Sequence, residues 1–213
     1  MYLSAHPLDD YDFEIETFAN CVLENLPQKI ADCHEANKVE SVSLAVMVAS
    51  AECKYNSMSK PRLEVVLEDK TAQYSMVLRG KDCDNYMNWF KAGQYLFLDG
   101  SIKQKRRPDE KNPYDSIPHE FLLNDVSILG NICEKRVKTF SVELNANTLD
   151  KNLTDKLYKV LRKYKGGTSL QLEVIDNKKK YSVTLGVRKL AVTVCTRLTK
   201  ELKELGLVFR VIC

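Results

Sequence analysis

The stretch RLEVVLEDKTAQYSMVLRG, from Arg62 to Gly80, holds two runs of largely alternating apolar and polar residues joined by a short polar turn. Such period-two alternation is typical of β-strands that bury one face. The turn, Glu68–Thr71, is too short for a helical crossover, so we expect the runs to pair as an antiparallel hairpin. Because an isolated hairpin is marginal in water, the flanking sequence must supply further strands.

The flanking sequence supplies three further strands and one helix. Residues 42–48 alternate like a strand, residues 95–102 are apolar on both faces, and residues 121–129 form a last strand. Asp82 is placed to cap a helix that Gly93 ends. The order strand, strand, strand, helix, strand, strand is that of the OB-fold, a five-stranded barrel. We predict an OB-fold domain that binds nucleic acid over residues 41–130, after a helical and irregular lead-in over residues 1–40.

A second pattern follows the linker at residues 130–136. It predicts a strand at 140–144, an amphipathic helix at 149–165, a hairpin with strands at 170–174 and 181–185, a helix capped by Thr196, and a closing strand at 207–212. This order, βαββαβ, is ferredoxin-like. The predicted fold class is therefore an all-β barrel followed by a small α+β domain at residues 137–213, which we expect to bind a partner.

Composition limits the classes of function. The chain has 213 residues, 44% of them hydrophobic, and a formal net charge of +3, so it can bury a core in each domain. No apolar run is long enough to span a membrane, and seven scattered cysteines without a Cys-x-x-Cys pair indicate reduced thiols rather than a disulfide or zinc framework. We expect a cytoplasmic protein without membrane contact.

Two basic loops flank one face of the predicted barrel. In OB-folds the loops between strands one and two and between strands four and five border the face that binds oligonucleotides. Cations can follow the phosphates of a single strand and aromatic rings can stack on its bases. The residues that we predict to bind nucleic acid are Lys54, Tyr55, Lys60, Arg62, Tyr74, Lys103, Lys105, Arg106 and Arg107.

The sequence offers no catalytic constellation. Phosphate-binding glycine loops and nucleophile elbows are absent, and the three histidines stand far apart. Asp82 and Asp84 open a helix, where the macrodipole already favours carboxylates. We therefore predict no catalytic residues, no metal site and no cofactor.

The helix predicted at residues 149–165 has the most basic surface outside the barrel. Its polar side can be a solvated face or can meet an acidic partner or a DNA backbone. The residues that we predict to contact a partner are Lys156, Lys159, Arg162 and Lys163.

The segment Tyr2–Tyr11, YLSAHPLDDY, resembles the Tyr-Leu-Ser-Gly-His-Pro-Leu-x-x-Tyr signature of the bacterial DNA polymerase III alpha subunit family, in which it precedes an OB-fold. Ala5 replaces glycine, which puts the local turn in doubt. The hairpin residues Leu67–Asp69 resemble that family's Leu-Glu-Asp-x-Thr segment, and the βαββαβ part resembles its terminal domain. The resemblance extends over essentially the whole chain, as the C-terminal fifth of a much larger protein.

This resemblance implies a non-catalytic fragment of a replicative polymerase. The family is a DNA-directed DNA polymerase, but its catalytic aspartates lie in a palm domain that this chain lacks. The implied partners are single-stranded template DNA for the OB-fold, the tau subunit of the clamp loader for the C-terminal domain, and the remainder of the polymerase chain. Two alternatives stay open: an OB-fold that contacts only proteins in the replisome, and an RNA- or tRNA-binding OB module.

Overall fold

A computed structural model describes residues 6–55, 59–104, 118–176, 178 and 180–213. The chain forms two compact units. Unit 1 holds the residues up to Asp9 together with Ile15–Leu129, and unit 2 holds Asp10–Glu14 and Gly130–Cys213. The domain boundaries expected from the sequence stay predictions. Across the described ranges, no helix has both the length and the apolarity that crossing a membrane demands.

The elements before residue 130 follow the predicted order. They are a 3-10 helix at Pro7–Tyr11, α1 (Asp12–Phe18), α2 (Leu26–Glu35), β1 (Glu40–Tyr55), β2 (Pro61–Glu68), β3 (Gln73–Arg79), α3 (Lys81–Tyr86), β4 (Tyr95–Gln104), β5 (His119–Ile128) and a second 3-10 helix that starts at Leu129. The helix after the hairpin is shorter than predicted, because α3 ends at Tyr86 rather than near Gly93.

The strands of unit 1 form one antiparallel sheet in the order β3-β2-β1-β4-β5. The 16-residue β1 lies at its centre: its first half pairs with β4 and its second half with β2, with a register shift between Val48 and Ser50. A closed barrel would require β3 to pair with β5. The described strands contain no such pairing, so the closure expected from the sequence is not shown.

The core of unit 1 lies on the side of the sheet that the alternation predicts. Leu63, Val65 and Leu67 are buried, and Leu26 and Cys33 of α2 pack in the same cluster. Apolar side chains are thus buried on one face of β2 and on both faces of β4, and this burial is the main stabilising contribution.

The predicted hairpin turn is organised by one buried carboxylate. Asp69 accepts hydrogen bonds on Oδ1 from the backbone N–H groups of Thr71 at 2.7 Å and Ala72 at 3.0 Å. Its Oδ2 accepts the N–H of Leu23 at 2.7 Å. A single side chain thus closes the turn and attaches it to the segment before α2.

The elements of unit 2 follow the predicted βαββαβ order. After a short helix α4 (Ile132–Arg136) come β6 (Thr139–Asn145), α5 (Lys151–Lys163), β7 (Lys165–Asp176), β8 (Tyr181–Val192), α6 (Thr196–Glu204) and β9 (Val208–Ile212). The hairpin strands are much longer than predicted, at 12 residues each.

The strand order of unit 2 corrects the ferredoxin-like interpretation. The order is β8-β7-β6-β9, with β6 and β7 as parallel neighbours. A split βαβ unit would place another strand between those two. Here the chain enters β7 directly after α5 and pairs with β6, so the β7–β8 hairpin extends the sheet outward. Gly166 permits this tight entry, because a Cβ atom there would overlap Thr193.

The first turn of α6 is capped by a residue far away in sequence. The expected cap, Thr196, is already inside the helix. Its N–H and hydroxyl donate to Glu14 Oε1 and Oε2 at 3.3 and 2.5 Å, and its Oγ1 accepts the N–H of Phe13 at 2.9 Å. Glu14 is 1% exposed, so a buried carboxylate satisfies donors that every helix N-terminus leaves unpaired.

Candidate nucleic-acid and partner surfaces

Three basic residues stand opposite one another at one end of the unit 1 sheet. Lys54 of β1 is the register partner of Arg62 of β2, and Arg62 is the partner of Arg79 of β3. Side chains directly opposite in antiparallel strands share a face, so these three form a row across three strands, called here the cation row. The sequence analysis did not select Arg79, although counting outward from the hairpin turn pairs it with Arg62.

Two members of the cation row are held by glutamates. Lys54 Nζ lies 2.6 Å from Glu64 Oε2 and 3.2 Å from Glu52 Oε2, and Arg62 pairs with Glu64 Oε1. The hydrogen bonds from Lys54 and then Arg62 hold the pKa of Glu64 below its ordinary value. The bond to Glu64, followed by that to Glu52, raises the pKa of Lys54. Because the pairs are exposed, water and salt compete with them.

Arg79 differs from its two neighbours. It is exposed at the end of β3, and the part of the chain that the structure describes provides it with no ion pair. A ligand that binds Arg79 therefore displaces no ion pair among the described residues.

Tyr55 and Lys60 lie near the cation row, but Tyr74 does not. Tyr55 is 70% exposed and is the register partner of Pro61, the residue after Lys60. Tyr74 stands opposite Leu67 near the other end of the hairpin. At about 3.4 Å per residue, Tyr74 lies about 17 Å from Arg79 along β3. The structure thus separates the two tyrosines that the sequence analysis assigned to one binding face.

Tyr74 instead lines a cleft of ≈ 760 Å³ between β3 and β5, called here the β3–β5 cleft. Lys103, Arg79, Glu120 and Asp82 also line it. Burial raises the pKa of Tyr74, and the nearby charge of Glu120 raises it further. The volume is in the range of small-molecule sites, and the lining offers two cations, two carboxylates and two aromatic rings, those of Tyr74 and Phe121.

One side of this cleft is fixed by α3. The Tyr86 hydroxyl donates to the backbone carbonyl of Asn124 at 2.7 Å, and burial raises the pKa of Tyr86. The bond attaches the helix that follows β3 to β5, so the two strands are coupled through α3 although they do not pair with each other.

Three predicted contacts fall outside the described residues. Lys105, Arg106 and Arg107 belong to the interval 105–117, as does the rest of the loop between β4 and β5. The first segment of the family signature, Tyr2–Ala5, is also outside the described ranges.

The predicted partner-binding residues are all exposed on α5. Lys156, Lys159 and Lys163 recur at i, i+3 and i+7 and share one side of the helix. Lys163 Nζ pairs with Glu201 of α6, which also accepts the Tyr164 hydroxyl at 2.7 Å. These donors lower the pKa of Glu201. Arg162 is i+3 from Lys159, so it adjoins the same side of α5.

A metal centre has no support in the described ranges. Those residues contain no group of three or more histidine, cysteine, aspartate or glutamate side chains arranged to hold an ion. Two histidines do lie close together: His34 Nδ1 of α2 is 3.2 Å from His119 Nδ1 of β5, which is a hydrogen-bond distance.

Residues 140–211 match the family described as the DNA polymerase III alpha subunit, C-terminal domain. A curated relative, the DNA polymerase III subunit alpha of Vibrio cholerae, is 20% identical over 170 residues. That alignment spans 79% of this chain and 13% of the relative. Together the two matches confirm the resemblance to the C-terminal region of the alpha subunit that the sequence analysis identified.

One similar solved structure is assigned to an aspartyl-tRNA synthetase from Leishmania major Friedlin. It has 8% sequence identity and a TM-score of 0.33, and the match spans 69% of this chain and 32% of that one. A likeness at this level carries no argument about fold or function.

Proposed function

Starting from the similarity of this chain to the C-terminal region of DNA polymerase III alpha subunits, we propose that it is a non-catalytic part of a replicative polymerase. In this proposal unit 1 is an OB-fold that binds single-stranded template DNA. Unit 2 tethers the polymerase to the tau subunit of the clamp loader. Nucleotide addition belongs to the remainder of the polymerase chain.

The observation that carries the DNA-binding part is the position of Arg79. It belongs to the cation row and also lines the β3–β5 cleft. Lys103 lines the same cleft and comes two residues before the basic run Lys105–Arg107. A strand of DNA that followed these cations would have its phosphates next to positive charge, which is what the backbone of a single strand needs.

The strand order supports the OB-fold assignment. The strand order β3-β2-β1-β4-β5 is that of an OB-fold barrel without the pairing of its third and fifth strands. The cleft between β3 and β5 lies where that barrel would close. The proposed DNA path therefore runs along the open seam of the sheet.

The proposal is tested by binding of a fluorescent oligo-dT to the complete chain. Arg79→Glu combined with Lys103→Glu should weaken binding about tenfold or more, since each reversal replaces an attraction to phosphate by a repulsion. Lys91→Glu is the control, because Lys91 is exposed in unit 1 and lines no part of the cleft. Equal affinity of the double variant and the control variant would remove the cleft from the binding site.

A second function is favoured by the ion pairs of Lys54 and Arg62. Cations already held by Glu64 suit a solvated surface that contacts only proteins. In that case the chain would bind no oligo-dT at any salt concentration but would still capture the tau subunit through unit 2.

A further inference from the structure

The strand β8 is one of the two edges of the unit 2 sheet. Among the described strands it pairs only with β7, and it runs for 12 residues. The N–H and C=O groups on its other side point away from the sheet, and such an edge is a template for pairing with another extended chain. Native proteins usually shorten, twist or charge an edge of this length.

The first half of β8 exposes a row of apolar side chains. Tyr181, Val183 and Leu185 are 71%, 56% and 50% exposed, and because they alternate they lie on one face. This set is called here the β8 strip. The second half carries Arg188 and Lys189, so the strip itself has no charge to protect it.

The β8 strip continues the buried face of the sheet. Val183 and Leu185 stand opposite Val174 and Leu172 of β7. Val174 is in turn the register partner of Leu144, a buried residue of β6. The strip is therefore core-type surface that lies beyond the cover provided by the helices, rather than the solvent face of the sheet.

The helix α5 packs against β8. The pair of Lys163 with Glu201 identifies the side of α5 that faces α6. Tyr158 of α5 adds a further aromatic side chain, 55% exposed, to the surface of unit 2.

The charge around the strip is positive. The segment 181–192 contains two cations and no carboxylate, and the turn before it contributes Lys178 and Lys180. In the described part of the chain, none of these four cations forms an ion pair. A partner that covers the strip must therefore accept a positive rim, and an acidic segment has the complementary charge.

The opposite edge of the same sheet differs in length and charge. The strand β9 exposes Val208 and Ile212 but has only five residues. Its central Arg210 is held by two carboxylates, Glu143 and Glu173. A long edge, apolar exposure and unpaired positive charge coincide at β8.

We propose that β8 binds an acidic, extended segment of a partner protein as an additional strand. The partner's alternate apolar side chains lie on the β8 strip, while its carboxylates lie near Lys178, Lys180 and Arg188. Main-chain hydrogen bonds to the free edge give affinity, and the strip gives specificity. This inference rests on the proposed tethering function of unit 2 and specifies the chemistry of the tether.

The test uses the complete chain and a fluorescent nine-residue peptide in which valine alternates with glutamate. Anisotropy should report binding that weakens as KCl is raised, because charge and burial both contribute. A peptide of the same composition with its valines contiguous should bind at least about tenfold more weakly, since it cannot present its apolar side chains on one face. Equal binding of the two peptides would overturn strand addition.

Substitutions on the two edges locate the peptide. Leu185→Glu should weaken binding about tenfold or more, whereas Val208→Glu changes an equally exposed apolar residue of β9 (58% exposed) and should leave binding unchanged. Leu185→Thr keeps β-propensity and guards against misfolding; it should weaken binding with an unchanged melting temperature. Equal weakening by the β8 and β9 variants would overturn the assignment of the peptide to β8. Displacement of the peptide by oligo-dT would overturn it too, and so would evidence that a second copy of the chain, rather than the peptide, covers β8.

Failure of this inference and failure of the proposed function give different results. If the chain captures the tau subunit but Leu185→Glu affects neither capture nor peptide binding, the β8 inference is wrong and the tether lies elsewhere. If the peptide binds at β8 but tau is not captured, the proposed tethering is wrong and β8 serves another acidic partner.

Discussion

The two units differ in where their sheets end. In unit 1 the terminal strands β3 and β5 line one cleft, together with Arg79 and Lys103. In unit 2 the terminal strands β8 and β9 lie at opposite ends of a four-stranded sheet. Two edge strands that line one cleft, as in unit 1, suit a ligand held between them. An edge strand at one end of a sheet, as in unit 2, suits a partner chain that pairs with it as an added strand.

In each unit, one buried carboxylate joins a segment from the N-terminal part of the chain to the rest of the unit by hydrogen bonds. In unit 1 Asp69 accepts the N–H of Leu23, and in unit 2 Glu14 accepts both donors of Thr196. Asp69 has the additional task of closing the turn between the strands that border the cleft. The comparison predicts a larger loss of stability for the first carboxylate than for the second.

Asp69→Ala should lower the free energy of unfolding by about 3 kcal/mol, because several buried donors lose their acceptor together. The same variant should weaken oligo-dT binding, since β3 loses its fixed position beside the cleft. Urea denaturation measures the first effect and anisotropy the second. The control is Glu24→Ala, an exposed residue next to Leu23, which should change stability by about 0.5 kcal/mol or less.

Glu14→Ala should cost about 2 kcal/mol, in the range of a lost helix cap together with a buried unpaired donor. Glu16→Ala, two residues further along α1 and exposed, is the matched control. Native-state hydrogen exchange should show the loss in α6 and its neighbours in unit 2. A Glu14 variant as stable as the Glu16 variant would contradict the capping role.

The contrast between these two residues explains what the sequence could predict. Asp69 acts mainly within its own turn, so the pattern around Glu68–Thr71 indicated the hairpin. Glu14 meets Thr196 across 182 positions, and no local pattern indicates such a pair. The sequence therefore suggested that Thr196 caps its own helix, which is wrong.

The surfaces show the same limit. Alternation or, for the strand at 95–102, a continuous apolar run predicted the strands of both sheets, and the pairing of Arg62 with Arg79 could have been counted from the turn. The separation of Tyr55 from Tyr74 and the neutralising position of Glu64 depend on register and rotamer. The element order βαββαβ allows either a split arrangement, with another strand between β6 and β7, or a direct one, with β6 and β7 as neighbours. The order alone therefore cannot predict which strands pair with β6.

A smaller effect is expected from releasing the cation row. Glu64→Gln releases Arg62 and leaves Lys54 paired with Glu52 alone, so affinity for oligo-dT should rise about threefold, the size of an exposed ion pair. Glu173→Gln removes the same charge from an ion-paired glutamate in unit 2 and should leave affinity unchanged. An equal rise in both variants would show that only net charge matters.

The lowered pKa of Glu64 fixes how this contribution depends on pH. A carboxyl whose pKa is depressed in the folded chain contributes stability above its ordinary pKa, and that contribution is lost as the pH falls through the depressed value. In the wild-type chain, Glu64 therefore lets go of Lys54 and Arg62 only in acidic solution, where its carboxyl becomes protonated. The variant Glu64→Gln has no carboxyl at this position, so this pH dependence should be absent from it.

The most direct test of the central claim is the salt dependence of oligo-dT binding to the complete chain. For single strands, log K falls with log salt by about 0.7 for each phosphate contact. If Arg79 and Lys103 contact phosphates, Arg79→Gln combined with Lys103→Gln should reduce the slope by about 1.4. An unchanged slope, or wild-type binding that does not respond to salt, would contradict the claim that unit 1 holds single-stranded DNA along its open seam.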